Sequence, residues 1–264
     1  MSNENNTTNP LLNVELPPSV DNALLSLTDR PTKAIGNTIA DVWYLVFGGL
    51  SHRADKRRLQ YAHDLDTFKQ QLEQDLSAIP PERRIEPSIQ TAAQALDNSK
   101  YAISVPELRT MFSKLIASSA DSAREPLVHP SFAESLKQMT TIDAKVLRAL
   151  SQATSNTLPV INILRNDTTG NGSITMYQNV AYVPGLPVDL FCIPASLSSL
   201  SHLGLIEIRQ DLFITNDSEY VPLLSSELYR SIASSLNARS QSIDAQKGIY
   251  RLTPLGQNFV TICT

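Results

Sequence analysis

The sequence predicts a mainly α-helical protein, in which an N-terminal α-helical bundle is followed by a C-terminal winged-helix-like α+β domain. First, apolar residues recur three and four positions apart between residues 34 and 139, in segments that Gly and Pro interrupt. Second, β-branched runs alternate with Gly, Pro and Asn after about residue 150. Third, the last helices and strands follow one another in the order of a winged helix.

Length and composition set the outer limits of this interpretation. A chain of 264 residues is long enough for about two domains, and 42% hydrophobic residues can supply ordinary cores. Residues 1–18 are polar and Asn-rich and are predicted to form a disordered arm. The helical bundle is placed at 19–140 and the winged-helix-like domain at 141–264. The net charge of −4 argues against a globally basic nucleic-acid-binding protein.

The sequence is typical of a cytoplasmic protein. Its two cysteines, Cys192 and Cys263, form no disulfide framework, and the N-terminus lacks the basic and apolar regions of a secretory signal. No run approaches the roughly 18 apolar residues that span a bilayer. Peripheral contact with the inner membrane on activation remains an alternative.

Proline, glycine and capping residues divide the bundle into helices. Six helical segments are predicted, at about 19–27, 32–48, 51–79, 88–102, 105–123 and 130–139. The expected core face of the longest helix consists of Tyr61, Leu65, Phe68, Leu72, Leu76 and Ile79. In the 88–102 helix, Ile89 and Tyr101 are expected to be core residues.

The stretch 34–58 is the first candidate functional region. It combines an amphipathic aromatic helix with a basic cluster, as an interfacial membrane segment or a partner-binding surface would. The candidate partner- or membrane-binding residues are Trp43, Tyr44, Phe47, Arg53, Lys56, Arg57 and Arg58. Because several other helices are available to cover it, the aromatic face is expected to be buried at rest.

The C-terminal half mixes helices and strands. The segments 160–164 and 174–177 are expected to flank a hairpin. The other predicted elements are helices at 141–150, 194–203, 223–239 and 254–263 and strands at 206–209 and 248–252. Gly204 permits the left-handed stop after the 194–203 helix, and Gly256 permits close packing of the last helix.

The span from about Pro31 to Cys263 resembles the abortive-infection alpha family. The resemblance is carried by the blocks DVWYLVFGGLSHRADKRR, ELRTMFSKLIASSAD, VHPSF, IDAKVL, LSHLGLIEI and LTPLGQNFVTIC. It implies a role in bacterial phage defence through abortive infection. The resemblance supplies no catalytic residues.

No common active-site signature is present in the sequence. The four histidines, His52, His63, His129 and His202, are far apart and lack the spacing of metal ligands. There is no nucleophile elbow, no P-loop and no dinucleotide fingerprint. The expectation is therefore no catalytic residue, no metal and no cofactor; an enzyme with an unrecognised active site is the third alternative.

The runner-up function is a DNA-binding transcriptional regulator, with the winged-helix-like domain as the DNA-binding unit. Its recognition helix would present Ser196, Ser199 and His202, with Arg209 on the following strand. That helix carries no Lys or Arg, and residues 141–264 contain eight Lys or Arg against nine Asp or Glu. Because phosphate contacts supply most nucleic-acid affinity, DNA is a disfavoured partner.

The resemblance to the abortive-infection alpha family implies an antiphage defence protein, and the lack of an active-site signature favours a non-enzymatic one. The winged-helix-like domain is expected to be the sensor or interaction module, and the bundle the scaffold or effector, with membrane engagement after triggering. A protein or a phage component is the expected partner, and a homo-oligomer is an alternative.

Overall fold

The computed structural model describes residues 37–47, 56–166, 172–238 and 241–264, and the side chains of all of these except 37 and 56–59. It is mainly helical, with a four-stranded antiparallel sheet towards the C-terminus. The predicted disordered arm at 1–18 and the predicted helix at 19–27 lie outside the described residues.

Five helices make up the N-terminal half of the described chain. They are α1 (Asn37–Phe47), α2 (Lys56–Ser77), α3 (Ile89–Ser99), α4 (Pro106–Ser119) and α5 (Ser131–Gln138). The Ser88 side chain caps α3 by accepting from the Thr91 N–H, and Pro106 occupies the first turn of α4. Helix α3 contacts α1, α4 and α5, and α2 packs on α4. The predicted helices at 88–102, 105–123 and 130–139 are confirmed to within four residues at each end. The helices predicted at 32–48 and 51–79 are confirmed over 37–47 and 56–77, and their predicted starts lie outside the described residues.

The predicted core faces are largely confirmed, with two corrections in α3. Leu65, Phe68, Leu72 and Leu76 of α2 are buried, as is Ile79 just beyond its end, and Tyr61 is partly buried. Ile89 and Tyr101 were expected in the core but are 70% and 77% exposed. Ile89 is the first residue of α3 and Tyr101 lies beyond its end, so the helical periodicity does not orient either side chain.

The C-terminal half contains the sheet and the remaining helices. Its elements are α6 (Thr141–Gln152), β1 (Thr157–Asn166), β2 (Ser173–Ala181), α7 (Cys192–His202), β3 (Ile206–Arg209), α8 (Val221–Leu224), α9 (Glu227–Asn237), β4 (Ile243–Leu252) and α10 (Pro254–Cys263). The predicted helix at 223–239 is two helices, because the Ser226 side chain caps a new start at α9. The last strand begins five residues before the predicted Gly248.

The sheet has the order β2-β1-β4-β3, with every neighbouring pair antiparallel. The predicted β1–β2 hairpin is confirmed. One face of the sheet packs on α7 and belongs to the main core. The other face carries Ile161, Ile163 and Val180, which pack with Tyr220 and Leu223 beside α8. The sheet is therefore covered on both faces around Ile161 and Val180, whereas the first residues of β2 are exposed.

Two glycines fix the turn and the close approach that the sequence predicts. Gly204 has φ +72° after α7, the left-handed conformation that ends the helix. At Gly256, a Cβ would lie 1.9 Å from the Leu205 carbonyl oxygen, so only glycine lets α10 approach this turn.

One cluster of buried residues extends through both predicted domains. It includes Trp43 and Phe68 from the helical half and Leu197 and Phe259 from the C-terminal half. Helix α4 packs against both α6 and α10. The domain boundary at 140/141 remains a prediction, because a shared core does not show whether the two halves fold independently.

Candidate functional site

The aromatic helix α1 has an inner and an outer face. Trp43 and Phe47 are fully buried, with their ring centroids 4.6 Å apart, and Trp43 stacks on Phe68 at 5.7 Å. The expected burial of this aromatic face at rest is confirmed. Tyr44 and Leu45 face outwards and are 53% and 80% exposed. The large apolar side chains that α1 exposes in this conformation are therefore those of Tyr44 and Leu45.

The basic cluster of the 34–58 stretch lies mostly beyond what the structure describes. Arg53 is outside the described residues. Lys56, Arg57 and Arg58 occupy the first turn of α2, and their side chains are outside the described part. The role predicted for these four residues stays a prediction.

The residues considered for DNA contact on α7 and β3 do not share one surface. Ser196 is buried, and its hydroxyl donates to Asp143 Oδ1 at 2.5 Å. Ser199 is partly buried and His202 is exposed. Arg209 is held by a bidentate pair with Asp211, at 2.8 and 2.6 Å. The hydroxyl of Ser196 thus faces the protein interior and is not available to a base in this conformation.

An open, charged groove lies between α4 and α6 and is closed at one side by the end of α10. We call it the α4–α6 groove; its volume is about 630 Å³. Its lining residues are Pro106, Glu107, Thr110, Met111, Lys114, Ala144, Lys145, Arg148, Ser151, Gln152, Cys263 and Thr264. Cavities of about 300–1,000 Å³ are the size that holds small-molecule ligands.

Local sequence signals fix the two helices that form the groove. Helix α4 begins at Pro106, and α6 begins after a capping box in which Thr140 and Asp143 satisfy each other's backbone N–H groups. In α6, Val146, Leu147 and Leu150 point into the core. Lys145 and Arg148, three residues apart, consequently share the opposite side.

The groove is electropositive. Lys145 and Arg148 are exposed, and neither has an acidic partner within 4 Å among the described residues. Across the groove, Lys114 donates a hydrogen bond to the backbone oxygen of Thr264. Among the described lining side chains the single carboxylate is that of Glu107. The arrangement favours an anionic ligand.

The Cys263 thiol at the groove wall is neutral. Burial raises the pKa of this thiol well above its ordinary value, and the nearby Lys114 charge offsets only part of that rise. A thiol nucleophile acts as the thiolate, which is scarce here at neutral pH. Cys263 therefore contributes packing to the groove and no nucleophile.

A second cavity of about 360 Å³ lies on the other side of Lys114. Its two acidic side chains both accept hydrogen bonds: Arg83 Nε donates to Asp121 Oδ1 at 2.9 Å, and Ser113 Oγ donates to Asp75 Oδ2 at 2.5 Å. Burial by itself would raise the pKa of Asp121. The hydrogen bonds from Arg83 and the Ala123 N–H outweigh it, together with the positive charges of Arg83 and Arg124, so the net pKa is lowered. This cavity joins the end of α2 to the end of α4.

The described ranges 37–47, 56–166, 172–238 and 241–264 contain neither a metal-binding cluster nor a membrane-spanning helix. No group of three His, Cys, Asp or Glu residues there is arranged to hold a metal ion. No helix there is long and apolar enough to cross a bilayer. His129 contacts the Ser131 hydroxyl at 2.7 Å, and His52 lies outside these ranges.

The α4–α6 groove was not foreseen from the sequence. Its residues come from three segments far apart in the chain, and only the fold brings them together. The available signal was the pair Lys145 and Arg148, which share one side of a predicted helix without an acidic residue three or four positions away on the exposed face. A pair of this kind is also common on ordinary solvated helices.

Fold and groove together define a mainly helical protein with a small antiparallel sheet and a cationic concavity between its two halves. A family model described as abortive infection alpha matches residues 60–263, and the chain belongs to this family. The resemblance predicted from the sequence is confirmed. The family indicates a role in abortive infection, a form of phage defence.

Comparisons with individual proteins add little to this assignment. No curated protein matches the chain. A solved structure of an uncharacterized protein from the hydrocarbon-degrading marine bacterium Alcanivorax borkumensis SK2 is 20% identical, covering 53% of this chain and 94% of its own, with a TM-score of 0.31. A likeness at that level carries no argument about function.

Proposed function

We propose that this protein acts in abortive infection by binding a partner, without catalysing a reaction, and that the α4–α6 groove is the binding site. The C-terminal half is the sensor or interaction module, and the helical half is the scaffold or effector. The observation that carries the proposal is the position of the groove: α4 comes from the helical half, and α6 and α10 from the C-terminal half. A ligand there contacts both parts at once.

The residues lining the groove suit binding better than catalysis. Glu107 has no histidine or second carboxylate beside it among the lining residues, so no acid–base pair is formed. The Cys263 thiol is neutral and buried. Lys145 and Arg148 supply fixed positive charge, which holds an anion without requiring proton transfer.

For the C-terminal half we propose a winged-helix-like unit used for interaction. The strand order β1-β4-β3, with α7 leading directly into β3 and α10 closing the chain, supports this interpretation. One departure is that the β1–β2 hairpin stands between α6 and α7, where a helix–turn–helix has a short turn. A binding unit on this scaffold need not read DNA.

A phage challenge tests the binding proposal. Cells that express the wild-type chain are compared with cells that express K145E/R148E, against a panel of phages. Both substituted side chains are exposed, so the variant is expected to fold, and loss of protection at equal protein level is the expected result.

The charge-reversal control is K137E/R165E, on α5 and β1, because neither residue lines the groove. Lys137 faces Glu134 at 3.5 Å, so this variant also breaks one surface ion pair. We expect this control to protect as well as the wild type does. Full protection by K145E/R148E, under conditions in which the wild type protects, would show that the groove charges have no part in defence.

Membrane engagement is the second candidate function. The observation in its favour is the outward apolar pair Tyr44 and Leu45 on α1, which precedes the basic residues at 53–58 in the chain. Interfacial segments combine apolar side chains with Lys or Arg near anionic headgroups. We expect anionic vesicles to sediment the wild-type chain and to sediment less of Y44D/L45D.

The control for the membrane test is I174D/F213D, which removes two exposed apolar side chains elsewhere. Equal sedimentation of the wild type and both variants would remove α1 from the binding surface. No sedimentation of the wild type would end the membrane proposal in the untriggered state.

DNA binding remains the disfavoured alternative. The exposed side of α7 offers Ser198 and His202 and no Lys or Arg, and Arg209 is paired with Asp211. A gel shift at low salt tests it, where phosphate contacts are strongest. We expect no shift at micromolar protein, and a shift that R209Q weakens would favour the DNA interpretation.

A further inference from the structure

The groove is lined by both positive charges and apolar residues, and both features limit the kind of ligand that it can bind. Lys145 and Arg148 lie on α6, with Lys114 across from them on α4. Pro106 is exposed at the edge of the same concavity, and Met111 and Ala144, which are 4% and 5% exposed, lie at its apolar floor. A purely inorganic anion would leave that surface unused, and an uncharged apolar molecule would leave the cations unpaired.

The number and kind of cations favour phosphate over carboxylate. The planar fork of Arg148 pairs with two oxygens of either group, but the second positive charge of Lys145 suits the two negative charges of a phosphate better than the single charge of a carboxylate. Since neither Lys145 nor Arg148 has an acidic partner within 4 Å among the described residues, a bound dianion would not have to break an existing salt bridge. Lys114 already donates a hydrogen bond to a backbone oxygen. Its main contribution to the groove is therefore its positive charge.

Glu107 restricts the rest of the ligand. It lies in the first turn of α4, where a carboxylate is favourable, and it lines the same groove. A second anionic group beside Glu107 would be repelled, whereas a hydroxyl or amine could donate to it. The groove is thus positive towards Lys145 and Arg148 and hydrogen-bond accepting at Glu107.

We propose that the α4–α6 groove binds a phosphate-bearing small molecule of nucleotide size, with the phosphate at Lys145 and Arg148 and the apolar part of the ligand against Met111. The volume of about 630 Å³ accommodates one such molecule. This inference rests on the groove being the binding site of the proposed function, and it adds the chemical class of the ligand.

The test uses the full chain labelled with ¹³C at its methionine methyl groups. Met111 lines the groove, whereas Met139 and Met176 lie elsewhere and serve as internal controls. Addition of AMP is expected to shift the Met111 methyl signal saturably, because the adenine ring would lie near it, while the Met139 and Met176 signals stay in place. Adenosine, which lacks the phosphate, is expected to leave all three unchanged.

Substitutions connect the shift to the cations. In K145E/R148E we expect the AMP affinity to fall by about tenfold or more for each lost cation, since a charge-assisted hydrogen bond contributes that much. The control K137E/R165E should bind as the wild type does. Absence of a Met111 shift at millimolar AMP, an equal shift with adenosine, or unchanged affinity in K145E/R148E would each overturn the ligand class. If the wild type does not bind AMP but K145E/R148E still loses phage protection, the proposed function is retained and the groove binds a ligand of another class.

Discussion

Gly256 shows how a single residue limits the packing of the C-terminal half. It is buried in the first turn of α10 and faces the Leu205 carbonyl, and its N–H donates to the Thr253 side chain that caps the helix. Thr253 in turn donates through its hydroxyl to the Gly204 carbonyl. The cap and the close approach thus hold α10 against the turn that precedes β3.

We predict that Gly256→Ala destabilises the protein by about 2 kcal/mol or more, because the added methyl group would push the backbone of α10 away from the backbone at Leu205. Urea denaturation followed by far-UV circular dichroism measures the change. Gly172→Ala is the matched control, since a Cβ at Gly172 meets nothing within 4 Å. An unchanged midpoint for Gly256→Ala would mean that α10 can move away without loss of stability.

The Arg209–Asp211 pair gives a second prediction at the scale of the residue. The hydrogen bond from Arg209 lowers the pKa of Asp211 to about 2. Because the folded-state value is below the unfolded value of about 3.9, the contribution of this pair is present above pH ~3.9 and is lost as the pH falls towards 2. Carboxyl ¹³C NMR should give the low value, and R209Q should return it towards ~3.9.

The control for this titration is R230Q, because Arg230 donates to the Ser225 carbonyl and leaves the Asp211 carboxylate alone. The Asp211 titration is expected to be the same in R230Q and in the wild type. A value near 3.9 in the wild type would show that Arg209 and Asp211 are not paired in solution.

At the scale of elements, one buried hydrogen bond joins α6 to α7. Asp143 Oδ2 accepts from the Thr140 N–H and hydroxyl at the start of α6, and its Oδ1 accepts from Ser196 on α7. The same carboxylate therefore caps one helix and positions the next. This bond explains why Ser196 is buried, although the sequence of α7 does not distinguish it from the other serines of that helix.

We predict that Ser196→Ala costs about 1–3 kcal/mol, because it leaves one oxygen of a buried carboxylate without its donor. Ser198→Ala is the control: Ser198 is exposed and donates only to the Pro194 carbonyl in its own helix, so a change within about 0.5 kcal/mol is expected. Urea midpoints compare the two variants. Equal effects would show that the Asp143 bond contributes nothing specific.

At the scale of the whole molecule, the buried cluster joins the two predicted domains through α4. Leu115 and Ile116 of α4 belong to the same cluster as Phe259 and Ile262 of α10. Ser118 on α4 also donates to the Ile262 carbonyl at 3.2 Å. A substitution that weakens the packing of α4 on α10 is therefore expected to lower the stability of both halves.

We predict that the chain unfolds in one cooperative transition. Trp43 is the single tryptophan and is buried in the helical half, so its fluorescence reports that half, whereas far-UV circular dichroism reports the whole chain. The two urea midpoints should coincide, and Gly256→Ala should lower the Trp43 midpoint although Gly256 lies in the C-terminal half. Two separate transitions, with Trp43 insensitive to Gly256→Ala, would support independent domains at 19–140 and 141–264.

Local patterns in the sequence account for most of the described fold. The helices from α1 to α7, the β1–β2 hairpin and α10 follow from apolar periodicity, capping residues, Pro and Gly, all of which act over a few neighbours. The errors fall where that rule ends. Ile89 and Tyr101 flank α3, and the break between α8 and α9 depends on one capping serine within an apolar run.

The sequence by itself determined the family, the helical periodicity, the burial of Trp43 and Phe47, and the need for glycine at 204 and 256. Helical periodicity and the predicted glycine positions follow from short stretches of sequence, and the family follows from sequence blocks spread between residues 41 and 263. Tertiary structure alone decided that Ser196 faces Asp143, that Tyr44 and Leu45 form the outer side of α1, and that Lys114, Lys145 and Arg148 line one groove. The reason is that these relations depend on how helices distant in sequence pack, and side-chain spacing within one helix carries no information about its neighbour.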